Sequence, residues 1–207
     1  MSFFKKLSFL VVIVCFISCN SQGKRSIAGE TEYQRTLNTQ YKDASKSPLK
    51  KKDLKDFKGL DFFTIDSSFI VTAKLMRTPN TSYFEMPTTT ERKPYYREFG
   101  LLTFSLQGKE YSLTLYQSLE EYEDPKYRDY LFLPFTDGTS GEESYGGGRY
   151  MDVFESKINE DDTIELNFNN TYNPYCAYNE KYSCPLTPRK NHLDIAIKAG
   201  VKDFEKH

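Results

Sequence analysis

Beyond residue 60 the apolar side chains recur at every second position in one segment after another, and that period restricts the chain to pleated structure. Phe69, Val71, Ala73 and Leu75 alternate with Ile70, Thr72 and Lys74, the spacing of a strand that buries one face. Leu102, Phe104 and Leu106 run through Gln107-Gly108-Lys109-Glu110 into Tyr111, Leu113 and Leu115, which reads as a hairpin. Tyr130 to Phe135 is a continuous apolar run, as expected of a strand covered on both faces. Tyr150 to Glu155 and Thr163 to Asn169 add two strands, and Leu193 to Ala199 reads as a last strand or a short helix. Sixteen Tyr, sixteen Phe and no Trp suit half-buried pleated surfaces. No internal repeat is present. The expected fold is mainly β, an antiparallel sandwich or curled barrel with one short N-terminal helix.

That helix is expected near residue 32. Thr31-Glu32-Tyr33-Gln34 has the form of a capping box, and Tyr33, Leu37, Tyr41 and Ala44 follow at helical spacing, ending by Pro48. Lys46, Lys50, Lys51, Lys52, Lys55 and Lys58 come next, offset by Asp53 and Asp56. This basic stretch reads as a solvated linker, with anionic lipid head groups as its alternative contact.

Met1 to Ser18 has the build of an export signal: Lys5 and Lys6, then the apolar run Leu7 to Ile17. The run is shorter than the about 20 residues a spanning helix needs. Phe16-Ile17-Ser18-Cys19 resembles the lipobox of bacterial lipoproteins, with Phe16 where Leu is preferred. The resemblance implies lipidation of Cys19 and a membrane as partner through the acyl chains. The absence of Asp after Cys19 implies a periplasm-facing site on the outer membrane. The expected organisation is a signal peptide over 1–18, a lipid-anchored tether with the helix and basic linker over 19–58, and a β domain over 59–207.

A formal net charge of −1 leaves no electrostatic footprint for nucleic acid. Cys15 leaves with the leader, so Cys176 and Cys184 remain as a pair in an oxidising compartment, and a disulfide is expected. The alternative is a metal held with His192, but Cys-x7-Cys-x7-His lacks the tight pairing of zinc sites. No metal or cofactor is assigned.

The least ordinary stretch runs from Asp137 to Arg149. Its five glycines free backbone N–H groups to converge on an anion, and Arg149 adds a bidentate fork. Asp137, Thr139, Ser140, Glu143 and Tyr145 supply acceptors and hydroxyls. The competing reading is a long connection whose Arg149 pairs with Asp137 or Glu143. Asn169 and Asn173 belong to a second amide- and phenol-rich segment, which lines a pocket or satisfies its own backbone.

At these residues the chain resembles the bacterial proteins grouped as domain-of-unknown-function family 1684. Their Asp-x-Thr-Ser-Gly-x-Glu-Thr-Tyr-Gly-x-Gly-Arg string is matched from Asp137 to Arg149, with Ser144 for Thr. Asp-Phe-Asn-x-Ala-Tyr-Asn-Pro-Pro-Cys-Ala-Phe is matched from Asn167 to Tyr178, with Asn167, Thr171, Tyr175 and Tyr178 departing. Cys-Pro-Leu-Pro-Pro-x-Glu-Asn is matched from Cys184 to Asn191, with Thr187 and Lys190 departing. The resemblance spans about Phe57 to Gly200 and implies no activity.

Three function classes follow. The first is a binding module taking a small anionic or polar ligand at the Gly-rich loop. The second is a hydrolase using Asp137 and Glu143, or Ser140 as nucleophile; His192 and His207 are the only histidines and no Gly-x-Ser-x-Gly elbow exists. The third is an envelope scaffold or assembly protein without a pocket.

Overall fold

The computed structural model describes residues 31–204. The expected leader, Cys19 and residues 20–30 of the tether lie outside them, as does His207. The helix forms as α1, Glu32–Lys42, and the Thr31 side chain caps it by accepting from the Gln34 N–H. A one-turn helix α2, Lys51–Lys55, lies within the basic stretch. Among the described residues no helix is long and apolar enough to cross a membrane.

The strands are β1 (Ile70–Arg77), β2 (Phe84–Glu85), β3 (Tyr95–Leu106), β4 (Lys109–Ser118), β5 (Tyr130–Asp137), β6 (Arg149–Phe154), β7 (Thr163–Asn167) and β8 (His192–Leu193). A short helix α3, Leu119–Glu123, follows β4. Of the two expected layouts the curled one is present. One sheet runs β6-β5-β4-β3-β1-β7, with β2 on β3 and β8 on β5, and curls into a half-barrel. All pairs are antiparallel except β5–β8. The expected hairpin is β3–β4, where Leu106 faces Lys109. Its two-residue turn has positive φ at Gln107 (51°) and Gly108 (76°), the sense that matches strand twist.

The sheet buries both faces. Leu113 and Leu115 of β4, Leu131, Leu133 and Phe135 of β5, and Met151 and Val153 of β6 point into the main core. Tyr116, Phe132 and Tyr150, one residue out of phase, join Met86 and Tyr96 in an aromatic cluster on the other face. A register shift between Glu98 and Gly100 explains how β3 serves both. The extra residue switches facing, so Tyr96 sits with the aromatic cluster while Leu102, Phe104 and Leu106 sit in the main core. At Gly100 a Cβ would lie 2.6 Å from Leu75 Cδ1 and 2.8 Å from the Met76 carbonyl, so glycine lets β1 approach the bulge.

The C-terminal segment was open between strand and helix, and it is largely neither. After β8 it runs irregularly, sending Ile197 and Ala199 into the main core. Side chains replace the missing ladder: the Ile197 N–H donates to Asp137 Oδ1 (3.1 Å), and Arg149 donates to the carbonyls of Ile197 and Ala199. Helix α1 packs through Tyr41 against Leu49, Leu60, Tyr178 and Val201. The helix therefore joins the body that the β domain forms.

Candidate functional site

The loop expected to fold over an anion closes on itself instead. Asp137 ends β5 and Arg149 begins β6, and the two form an ion pair at 2.8 Å with no solvent exposure on either side chain. Its terminal nitrogens also donate to the Ile197 carbonyl at 2.8 Å and to the Ala199 carbonyl. Its guanidinium lies 5.4 Å from the Phe135 ring centre and 5.7 Å from that of Phe63. Burial lowers its pKa, and the charge of Asp137 opposes that shift. Asp137 Oδ1 accepts from the Thr139 N–H (2.8 Å) and hydroxyl (2.7 Å). Thr139 also bonds Ser144, and Ser140 Oγ accepts from the Asp137 N–H. Both terminal nitrogens of the fork are thus taken by protein acceptors, and the Nε–H, the one donor without a partner, is itself buried away from solvent.

The other expected site residues do not join this knot. Glu143 pairs at the surface with Lys198 at 2.7 Å. Asn169 bonds the backbone of Asp66 in both senses, and Asn173 donates to the Lys202 carbonyl. Both amides serve backbone, the commoner of the two roles expected of them. The hydrolase pair Asp137 and Glu143 is thus split between a buried ion pair and an exposed one.

Cys176 and Cys184 come together, but the expected disulfide is not formed and both are free thiols. The Cys176 N–H donates to Cys184 Sγ at 3.2 Å, and the Tyr145 hydroxyl lies 3.9 Å from Cys176 Sγ. The thiols share a hydrogen bond, which pulls Cys176 down to about 6 and, together with burial, pushes Cys184 up. His192, weighed as a third metal ligand, bonds Thr136 at 3.0 Å. Among the described residues no group of three or more His, Cys, Asp or Glu is placed to hold a metal.

A cavity of about 390 Å³ opens elsewhere, between α1 and the aromatic face of the sheet. Tyr33 and Tyr41 of α1, Tyr96 of β3, Tyr130 of β5 and Tyr150 of β6 line it, with Tyr172, Tyr175 and Tyr182 from the segment after β7. The rings brace one another edge to face, Phe132 on Tyr150 at 4.6 Å and Tyr175 on Tyr182 at 5.2 Å. Gln40 reaches across from α1 to bond the Tyr175 hydroxyl at 2.8 Å. Burial raises the phenol pKa of Tyr33, Tyr96, Tyr130, Tyr150 and Tyr172, so these hydroxyls stay protonated as donors.

Two carboxylates face this cavity. Asp152 alternates on β6 between the core residues Met151 and Val153. Its side chain lines the cavity and is exposed to solvent. Tyr130 (3.0 Å) and Tyr172 both donate to its Oδ1. Enclosure raises its pKa, and the phenol bonds oppose that. Glu121 projects from α3, and its Oε2 is buried with no hydrogen-bond partner. Burial raises its pKa too, a hydrogen bond with Ser118 and the charge of Arg92 oppose that, and the charges of Glu120 and then Asp152 add to the rise.

Neither carboxylate was a candidate at the level of sequence. Asp152 falls at an outward position of an alternating strand, the ordinary place for a solvated acid. Glu121 stands in the Glu120-Glu121 run of a polar connection.

The model of the family described as "Protein of unknown function (DUF1684)" matches residues 55–202. No curated protein matches the chain. Among solved structures, the chain is similar to an uncharacterized protein from Haloarcula marismortui determined by solution NMR. The two are 32% identical with a TM-score of 0.62, over 78% of this chain and 85% of that one.

Proposed function

Since the chain belongs to the DUF1684 family of unknown function, its own geometry has to name the task, and we propose that it is a binding module for a small polar molecule. The single observation that carries this reading is the tyrosine-lined cavity with Asp152 and Glu121 on its walls. Pockets of this volume, mostly aromatic with a few placed polar groups, are where small molecules bind. The Gly-rich loop supports the module as architecture.

The proposed address rests on sequence: export behind Met1–Ser18 and anchoring by acyl chains on Cys19, facing the periplasm from the outer membrane. Labelled palmitate should be incorporated by the wild-type protein and lost in Cys19→Ala. Equal labelling of both would remove the anchor from the proposal.

The site is tested by a thermal-shift screen of polar metabolites against the mature chain carrying Cys19→Ala. A compound at 100 times its dissociation constant stabilises by about 2.7 kcal/mol. Thr36→Trp, at the α1 wall of the cavity, should abolish the shift of every hit. Hits that bind this variant unchanged would exclude the cavity as the site. A second reading, acid–base hydrolysis, is favoured by one observation: both carboxylates of one cavity have raised pKa values. It requires turnover of a bound hit, lost in Asp152→Asn.

A further inference from the structure

We infer that the molecule the cavity takes is a small organic cation, a substituted ammonium; this rests on the cavity being the binding site. Among the described residues Asp152 and Glu121 are the only charged ones lining it, with no Lys, Arg or His on its walls. Some exposed carboxylates elsewhere do hold a cation: Glu155 and Asp162 share Arg77, and Glu143 has Lys198. Arg92, near Glu121, is engaged by Glu120 at 2.6 Å. Two acids therefore face one aromatic cavity with no cation on its described walls. A carboxylate oxygen taken out of water, as Glu121 Oε2 is, requires a charge partner or a proton.

The placement of free acceptor atoms agrees. Tyr130 and Tyr172 both bond Oδ1 of Asp152, which fixes the carboxylate while Oδ2 receives neither bond. Glu121 Oε2 is buried without a partner, the kind of orphaned acceptor that calls for an occupant.

The walls decide which cation. A hard metal ion requires six or more oxygens close around it, whereas this space is far larger than such an ion and mostly phenol ring. Ring faces attract a diffuse, weakly hydrated cation through their quadrupole, as in the aromatic cages that bind quaternary ammonium groups. The two acids repel an anion. A substituted ammonium satisfies the carboxylates by charge and the rings by shape.

The test is isothermal titration of the mature Cys19→Ala protein with choline and with 3,3-dimethylbutan-1-ol, which have nearly the same shape and differ by one charge. Choline should bind at least tenfold more tightly than the alcohol. Asp152→Asn and Glu121→Gln, each verified as folded by circular dichroism, should each lose tenfold or more of that affinity. Because lipids carry the same group, co-sedimentation with phosphatidylcholine and phosphatidylglycerol vesicles is the second arm. Binding only to the former, displaced by free choline, identifies a head group as the source; binding of free choline alone identifies a soluble amine.

Equal binding of choline and the alcohol overturns the inference, and so does failure of both choline and the choline vesicles to bind. Either result leaves the binding-module reading standing if other hits are expelled by Thr36→Trp. That reading falls separately, when Thr36→Trp expels none.

Discussion

Arg149 and Asp137 meet at 2.8 Å in a pair from which solvent is fully excluded. A pair of this kind is destabilising to break, because the surviving charge stays buried; removing one partner costs about 3–5 kcal/mol. Lys cannot reproduce the fork that spans Asp137 and the carbonyls of Ile197 and Ala199. Arg149→Lys should therefore lower the melting temperature by roughly 10 °C, at about 2–4 °C per kcal/mol for a domain of this size. The folded fraction should bind any cavity ligand with unchanged affinity. A variant that melts normally but loses the ligand would return the loop to the site.

Gly148 stands directly before that arginine, at φ 90°. A Cβ there would fall 2.5 Å from the Phe135 carbonyl and 2.7 Å from Thr187 Oγ1. Gly148→Ala should cost roughly 2 kcal/mol or more, since a left-handed conformation alone costs about 1–2 kcal/mol and the close contacts add to it. Urea denaturation measures this as a lower midpoint with an unchanged slope. A midpoint equal to that of wild type would mean that the glycine is not needed for the turn into β6.

The thiol pair gives a prediction in pH. With Cys176 pulled down to about 6 and Cys184 pushed up, one proton is held between two sulfurs. At pH 7 Cys176 should therefore be alkylated by iodoacetamide well ahead of Cys184, with a half-maximal rate near pH 6 in place of the usual 8.5 or so. Peptide mass spectrometry resolves the order. Labelling that begins only after a reductant is added would show the pair oxidised in the isolated protein.

The two cavity carboxylates set a second pH dependence. Both pKa values are raised in the fold, so the folded state favours the protonated acids. Their contribution to stability is complete below the unfolded values near pH 4 and is lost as pH rises through the folded ones. Without ligand, wild type should thus lose melting temperature from about pH 4 upward relative to Asp152→Asn/Glu121→Gln. Calorimetry on both proteins measures the difference, and parallel curves would remove the coupling. Asn keeps an acceptor for Tyr130 and Tyr172, so the variant retains its packing.

The strands were legible because period two is written locally. Leu131, Leu133 and Phe135 alternate with Phe132 inside one apolar run, and β5 is covered on both faces as that run implied. The bulge before Gly100 was not legible, since it shows only as a phase change in a strand paired on both sides. The Asp137–Arg149 string was legible as unusual but not as closed. Its acceptors come from Ile197 and Ala199, about fifty residues on, and glycines with an arginine read alike in an anion nest and in a sealed knot. The cavity escaped for a related reason. Its tyrosines come from α1, from three separate strands and from the segment after β7, and nothing local in any of them shows that they share one space.

The bond from Gln40 to Tyr175 joins positions 135 residues apart, and Tyr41 packs on Tyr178 with ring centres 5.0 Å apart. The cavity is thus a seam between early and late parts of the chain, and it cannot close while the polypeptide is still emerging. Contacts of such long range form late, after the local hairpins. Until then the tyrosine face of the sheet waits uncovered. Once closed, the seam should also be where the fold opens most readily, so an occupant that bridges it slows amide exchange in α1 before it does so in the central strands.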